Sequence, residues 1–311
     1  MDLKESPRIT IIVPCFNVEH IVENCINALL IQDYPKDKYS IIVVDDKSTD
    51  NTRKIIEKYQ ENTQVKIIKH FQNRGLSATR NSGISASKSE IVGFLDSDII
   101  VKEDWISVMM NVLDKPDVVA CMGDTKLPQD LQLDSIDKFL YHPKRGVRQF
   151  DEDTQIEVPG FIMGNSFVKR IALNKVGLFD EIFDTWGGED TDLAIRLWEQ
   201  YPKGLRYSKK AVGDHYHKRE LNNLLKDMTK YGSTNYLILL DRYPHHNKRL
   251  AGDWINSFKG LFILNPLMNF IIKTIYLIIP FPRLIRYFIA YSVIRGARNP
   301  AEGIPNFTRI R

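Results

Sequence analysis

At 311 residues, 43% hydrophobic and 26% charged, the chain has a globular composition, which excludes a disordered, collagen-like or low-complexity protein. Cys15, Cys25 and Cys121 are an odd number without metal-type spacing, so a disulfide framework is not expected and a reducing compartment is favoured. The net charge of +4 is uneven: residues 242–311 carry 11 Lys+Arg against 2 Asp+Glu, while residues 1–241 carry 32 against 37. A basic, apolar tail on an acidic body suits a membrane surface better than nucleic acid.

The first ten residues, MDLKESPRIT, hold no apolar core of signal-peptide length, so export is not expected. Residues 8–13 (RITIIV) form a β-branched run stopped by Pro14, which predicts a buried first strand. Residues 14–17 read as a turn. Ile21, Val22, Cys25, Ile26 and Leu29 then fall at helical spacing within 19–30. Residues 39–44 (YSIIVV) predict a second buried strand running into Asp45-Asp46, and residues 48–52 offer N-caps for a helix near 52–60. A third short strand is expected over 65–69, a helix with small residues on one side over 77–87, and a fourth strand over 91–95. Strand alternating with helix marks a parallel α/β sheet.

The run 91–101 (IVGFLDSDIIV) is the most informative stretch. An unbroken apolar run suits a strand buried on both faces, yet this one carries Asp96 and Asp98. Two neighbouring carboxylates in a buried place repel each other and are costly to desolvate. A divalent cation removes that cost: Mg²⁺ or Mn²⁺ prefers oxygen ligands, and Mg²⁺ usually takes one or two carboxylates together with substrate phosphates. The bland alternative is a solvated strand-to-loop turn. Ligands of open α/β sheets sit beyond the carboxyl ends of strands, which gathers Pro14, Asp45, Asp46, Asp96 and Asp98 toward one pocket. An acidic pair after a strand also occurs in aspartyl phosphotransfer proteins, but here the second acidic cluster follows about fifty residues later, with Asn73-Arg74-Gly75 between.

Taken in order, IIVPCFNVE, VVDDKSTDNT, NRGLSATRNSGI, FLDSD, GGEDTDLAIRL and DHYH resemble a family 2 glycosyltransferase of the A-type (GT-A) fold over roughly residues 8–235. The resemblance implies a GT-A nucleotide-sugar-binding fold: an α/β protein whose central, mostly parallel sheet is flanked by helices. It also implies transfer of a sugar from a nucleotide diphosphate, UDP by preference, to an acceptor hydroxyl, with inversion.

On that resemblance Asp46 would accept the N3–H of a uracil-type base over a floor shaped by Pro14. Asp45 would be structural or a ribose contact; a helix-capping carboxylate is the bland reading of either. Arg74 and Arg80 flank Gly75, and one of them would face the phosphates unless both are surface arginines. Asp96 would meet ribose or metal, and Asp98 would bind the Mn²⁺ or Mg²⁺ that bridges the diphosphate. Asp190 would be the general base and Glu189 would hold the acceptor; the bland reading is a helix N-terminus stabilised by its acidic first turn. Trp186 would stack on sugar or acceptor unless it is a core residue. His215, with His217 as alternate, would complete the metal shell. Asn165 would touch the donor sugar, and residues 125–158, which match no motif, would recognise a glycan or lipid-linked acceptor.

Residues 1–241 are thus read as a catalytic domain and 242–311 as a basic, apolar helical tail. A membrane-spanning helix needs about 20 mostly apolar residues, whereas 261–279 is interrupted by Pro266 and Lys273. Interfacial helices at the cytoplasmic face of a membrane are expected instead. Two other readings stand beside the transferase. One is a sugar nucleotidyltransferase, for which PCFNVEH lacks the usual phosphate loop. The other is a non-catalytic nucleotide-sugar or lipid binder.

Overall fold

The structure, a computed structural model, describes residues 7–129, 132–158 and 160–304. Residues 1–6 and the end of the basic tail, 305–311, lie outside the described residues. The chain divides into two compact units: 1–129 with 146–184 and 189–217, and 130–145 with 185–188 and 218–311.

The first unit opens with β1 (Ile9–Cys15), α1 (Val22–Leu30), β2 (Tyr39–Asp45), α2 (Thr52–Glu57), β3 (Val65–Lys69), α3 (Gly75–Ser85) and β4 (Ile91–Leu95). β5 (Ile99–Val101), α4 (Trp105–Leu113) and β6 (Ala120–Lys126) follow. After α5 (Ser135–Leu140), which belongs to the second unit, come β7 (Thr154–Gln155), β8 (Asn165–Lys169), α6 (Arg170–Val176), α7 (Glu189–Gln200) and β9 (Leu205–His215). Among the described residues the strands form one nine-stranded sheet in the order β3-β2-β1-β4-β8-β6-β9-β5, with β7 paired to β9. β1 to β4 run parallel, as the alternating pattern predicts. β8 lies antiparallel between β4 and β6, and β5 antiparallel on β9.

Alternate residues of the central strands feed two cores. Ile11, Val13, Ile41 and Val43 pack with α1 and α4 on one face, and Ile12, Ile42, Val44 and Phe94 with α3 and α7 on the other. The small residues of α3 serve this packing: a Cβ on Gly83 would come within 2.5 Å of Ile12 Cγ2.

Two strand boundaries differ from expectation. β1 continues through Pro14 and Cys15, opposite Val44 and Asp45. Pairing with β4 has stopped at Ile12↔Phe94, where a residue lacking an N–H is tolerated. The run 91–101 is two strands, not one. β4 ends at Leu95, Ile99 N–H closes a turn on the Asp96 carbonyl at 3.0 Å, and the chain resumes as β5 against β9.

The second unit contains α5, α8 (Leu221–Ser233), α9 (Asn235–Arg242), α10 (Phe258–Ile263), α11 (Pro266–Ile278) and α12 (Pro282–Ala297). Gly232 and Gly296 let α8 and α12 meet backbone to backbone: a Cβ on either would lie 2.1 Å from a carbonyl of the facing helix. α12 buries Ile285, Phe288, Tyr291 and Ile294. The sequence expects an interfacial helix there; the apolar face is used instead against neighbouring helices. α11, although almost wholly apolar, buries none of its residues. No described helix is long and apolar enough to cross a membrane.

Candidate active site

The carboxyl ends of β1 and β2 are in register, Cys15 opposite Asp45, so the acidic pair sits where the fold puts ligands. Pro14 is buried at this end of β1. Asp45 is fully buried. Its Oδ2 accepts from Arg53 Nε at 2.9 Å and Nη2 at 2.6 Å, and its Oδ1 from Ser48 N–H. Asp46, also buried, accepts the Arg74 N–H on Oδ1 and the Gly75 N–H on Oδ2, each at 2.9 Å, and its Oδ1 lies 2.6 Å from His70 Nδ1. Gly75 takes φ +82°, which an L side chain resists. Asp46 therefore anchors the N-terminus of α3, where a carboxylate is stabilised by the exposed amides. The Arg74 side chain pairs with Glu181 at the surface, 3.1 Å away.

The centre of the site is Arg80, in the middle of α3 and 1% exposed. Its Nη1 donates to Asp190 Oδ1 at 2.7 Å and its Nη2 to Asp96 Oδ1 at 3.1 Å; Nη1 also lies 3.7 Å from Glu189 Oε1. Burial alone would lower its pKa, but Asp190, Asp96 and Glu189 together raise it. Asp190 Oδ2 accepts the Met163 N–H at 3.1 Å. Glu189 and Asp190 stand in the first turn of α7, after Gly187 and Gly188 at φ +85° and +104°. Glu189 is buried, and among the described residues its Oε2 has no hydrogen-bond partner. Burial first, then Asp190, pushes its carboxyl up to about 7, against the opposing pull of Arg80. Asp96 is raised too, by desolvation first, with Asp98 and Asp190 adding to it and Arg80 opposing.

Asp98 faces two imidazoles. Its Oδ2 is 3.4 Å from His215 Nε2 and 3.4 Å from His217 Nδ1. Pairing of β5 with β9 sets Ile99 opposite His215, and Tyr216 N–H donates to the Asp98 carbonyl at 2.8 Å. Burial would lift the Asp98 carboxyl, but the two histidines hold it well below the usual carboxylate range. A separation of 3.4 Å is long for a hydrogen bond and suits two ligands of one cation. One carboxylate with one imidazole nitrogen, from His215 or His217, suits a transition-metal divalent ion such as Mn²⁺ better than Mg²⁺, which favours an all-oxygen shell; the two rings themselves stand 5.8 Å apart, centre to centre.

Asn165 is a buried bracket. Its Oδ1 accepts from Trp105 Nε1 at 2.8 Å, and its Nδ2 donates to the Asp124 and Ala211 carbonyls, so its amide is engaged within the chain. Trp186 belongs to the second unit, where the Arg219 guanidinium sits 4.9 Å from its ring centre and Tyr231 meets it edge-on. In the 125–158 region Arg148 ties down the strand before it, bonding the Thr125 carbonyl and pairing with Asp124 at 2.9 Å. Sequence reading left Arg80 undistinguished from Arg74 and missed Arg53 and His70. The signal for Arg80 was its place on the small-residue side of α3, the side that packs on the sheet.

Comparison with known proteins follows the same lines. The model for N-terminal domain of galactosyltransferase matches residues 142–220. A chondroitin synthase of Pasteurella multocida is 28% identical over 245 residues, covering 67% of this chain and 24% of that protein. The minor teichoic acid biosynthesis protein GgaA of Bacillus subtilis is 27% identical over 269 residues, 85% of this chain and 57% of its own. The chain thus spans less than two thirds of the length of each of these relatives. Among solved structures, the mannosyltransferase PcManGT of Pyrobaculum calidifontis, in complex with GDP-Man and Mn²⁺, superposes with a TM-score of 0.66 at 19% identity, covering 95% of this chain and 88% of that one. S. aureus TarS 1-349 in complex with UDP-GlcNAc gives a TM-score of 0.51 at 18% identity. At such identities the likeness is one of fold, and the fold is GT-A. The glycosyl transferase family 2 model matches residues 10–177, more than half of the sequence, and the chain belongs to that family.

Proposed function

We propose that the chain transfers a sugar, with inversion, from a nucleoside diphosphate donor to an acceptor hydroxyl, with Asp190 as general base. The observation that carries this reading is the shared guanidinium: Arg80 bonds Asp190 at 2.7 Å and Asp96 at 3.1 Å. The base and the acidic strand end therefore belong to one cluster. Asp190 would take the acceptor proton as the acceptor oxygen bonds to the anomeric carbon. The bond from that carbon to the diphosphate oxygen breaks on the other side, and the nucleotide leaves with the electron pair. Glu189, buried beside the base, would hold the acceptor. Asp98 and Asp96, with His215 or its alternate His217, would hold the cation, which when bound supplies Lewis-acid stabilisation of the departing diphosphate.

A UDP-sugar is the donor we favour on the sequence resemblance; of the fold neighbours one is complexed with UDP-GlcNAc and another with GDP-Man. A glycan or lipid-linked polymer is the acceptor class we favour, supported by relatives named for chondroitin and teichoic acid synthesis. We further propose a peripheral position at the cytoplasmic face of a membrane. In support, α10 and α11 expose Phe258, Phe262, Phe270 and Leu277, with Lys259 and Lys273 exposed among them.

Incubation with labelled UDP-sugars and Mn²⁺ tests the reaction. Release of UDP is expected; release of pyrophosphate from UTP would favour a nucleotidyltransferase, and neither would favour a binding protein. Asp190→Asn should retain UDP affinity and lose transfer by about 100-fold or more. Equal loss of binding and transfer would contradict the base assignment.

A further inference from the structure

We propose that Arg80 is a positioning residue for transfer: its buried guanidinium fixes the carboxylate of Asp190 and, through Asp96, ties that orientation to the diphosphate end of the site. The inference rests on the reading of Asp190 as the base.

A surface arginine would point its head to water, and an arginine that grips phosphate must reach the ligand. Arg80 does neither, being 1% exposed. Removing this cation from water is expensive unless carboxylates replace the solvent. They do so in a particular way, with two nitrogens of one rigid plane going to two different residues, Nη1 to Asp190 and Nη2 to Asp96. A planar fork can serve two carboxylates at fixed angles, whereas an ammonium on a flexible stem cannot hold both in one geometry.

The guanidinium is closely packed. Its carbon lies 5.1 Å from the Phe179 ring centre, and α3 is pressed on β1 at Gly83. Its Nε has no hydrogen-bond partner among the described residues. The group is thus placed for its carboxylates at the expense of one donor, a loss a merely structural arginine has no reason to carry. Asp190 is in turn held from both sides, by Arg80 on Oδ1 and by Met163 N–H on Oδ2. Rotation of the carboxylate would break both bonds, so the remaining lone pairs keep one direction for the incoming proton. Arg80 acts through the aspartates and touches neither donor nor acceptor.

Arg80→Lys keeps the charge and gives up the fork. Its kcat for transfer from a UDP-sugar should fall about 100-fold, while the UDP dissociation constant in Mn²⁺ shifts less than about threefold. A fall in UDP affinity as large as the fall in kcat would make Arg80 a ligand of the diphosphate and overturn the proposal, as would an unchanged kcat. In the Asp190→Asn background, Arg80→Lys should add no further loss, because residues acting as a unit are not additive; full additivity overturns the inference while leaving the base assignment intact. If Asp190→Asn alone keeps full transfer, the base assignment fails first and the inference with it. Arg80→Gln, which can still donate to one aspartate but not to both, is the second variant, with the same expectations, should Arg80→Lys not fold.

Discussion

Glu189 sits buried beside Asp190, and its carboxyl is pushed up to about 7 from an ordinary 4.5, by desolvation first and by that neighbour second. Between those two values the folded protein keeps a proton that the unfolded chain has released. Stability therefore falls as pH rises through the window. Glu189→Gln removes this titration. Its melting temperature relative to wild type should climb by a few degrees between about pH 5 and about pH 8. A difference between the two proteins that stays flat with pH would show that Glu189 is ionised throughout. At this scale the sequence was legible where short motifs name their own chemistry. His215 and His217 each lie 3.4 Å from Asp98, and Glu189 and Asp190 open one helix. It was not legible where the role depends on which face of an element is buried. Arg80 reads as a phosphate contact or a surface arginine until α3 is laid on the sheet. Asn165 reads as a polar residue available to a ligand until Trp105, Asp124 and Ala211 take up its amide.

Among the elements, α3 joins the two halves of the site. Its first amides bind Asp46 and its middle carries Arg80. Its seat depends on Gly83, where a Cβ would fall 2.5 Å and 2.9 Å from Ile12 side-chain carbons. Gly83→Ala gains helix propensity of roughly 1 kcal/mol but overpacks the core, typically costing about 1–3 kcal/mol. The net expectation is a lower melting temperature. A stabilised Gly83→Ala protein would mean that α3 has slack against β1, and would weaken the case for a fixed Arg80. The apolar runs of β1, β2 and β4, the short β3 and the helices between them could be read from periodicity because each is local. The insertion of β8 between β4 and β6, and the break that sends residues 99–101 to β9, are long-range pairings. No local pattern encodes them.

Across the whole molecule the charge is divided, with 11 Lys+Arg against 2 Asp+Glu in residues 242–311 and an acidic excess before them. The same segment contains α11, apolar and without one buried residue. We expect the protein to float with vesicles containing phosphatidylglycerol and not with phosphatidylcholine alone. Replacing Phe258, Phe262 and Phe270 by Ser should weaken flotation by about tenfold or more, since each buried aromatic contributes about 1.5–3 kcal/mol. These side chains support no core, so melting should stay unchanged. Equal flotation of the variant and the wild type would remove the proposed membrane contact.

On the proposed mechanism a cation at Asp98 holds the leaving diphosphate within reach of a base at Asp190. Calorimetric titration of UDP, with GDP in parallel, into wild type, Asp98→Ala and Asp190→Asn, each with and without Mn²⁺, tests it most directly. Nucleotide affinity should depend on Mn²⁺ in the wild type, persist in Asp190→Asn and lose its metal dependence in Asp98→Ala. Mn²⁺-dependent affinity surviving intact in Asp98→Ala would contradict the account.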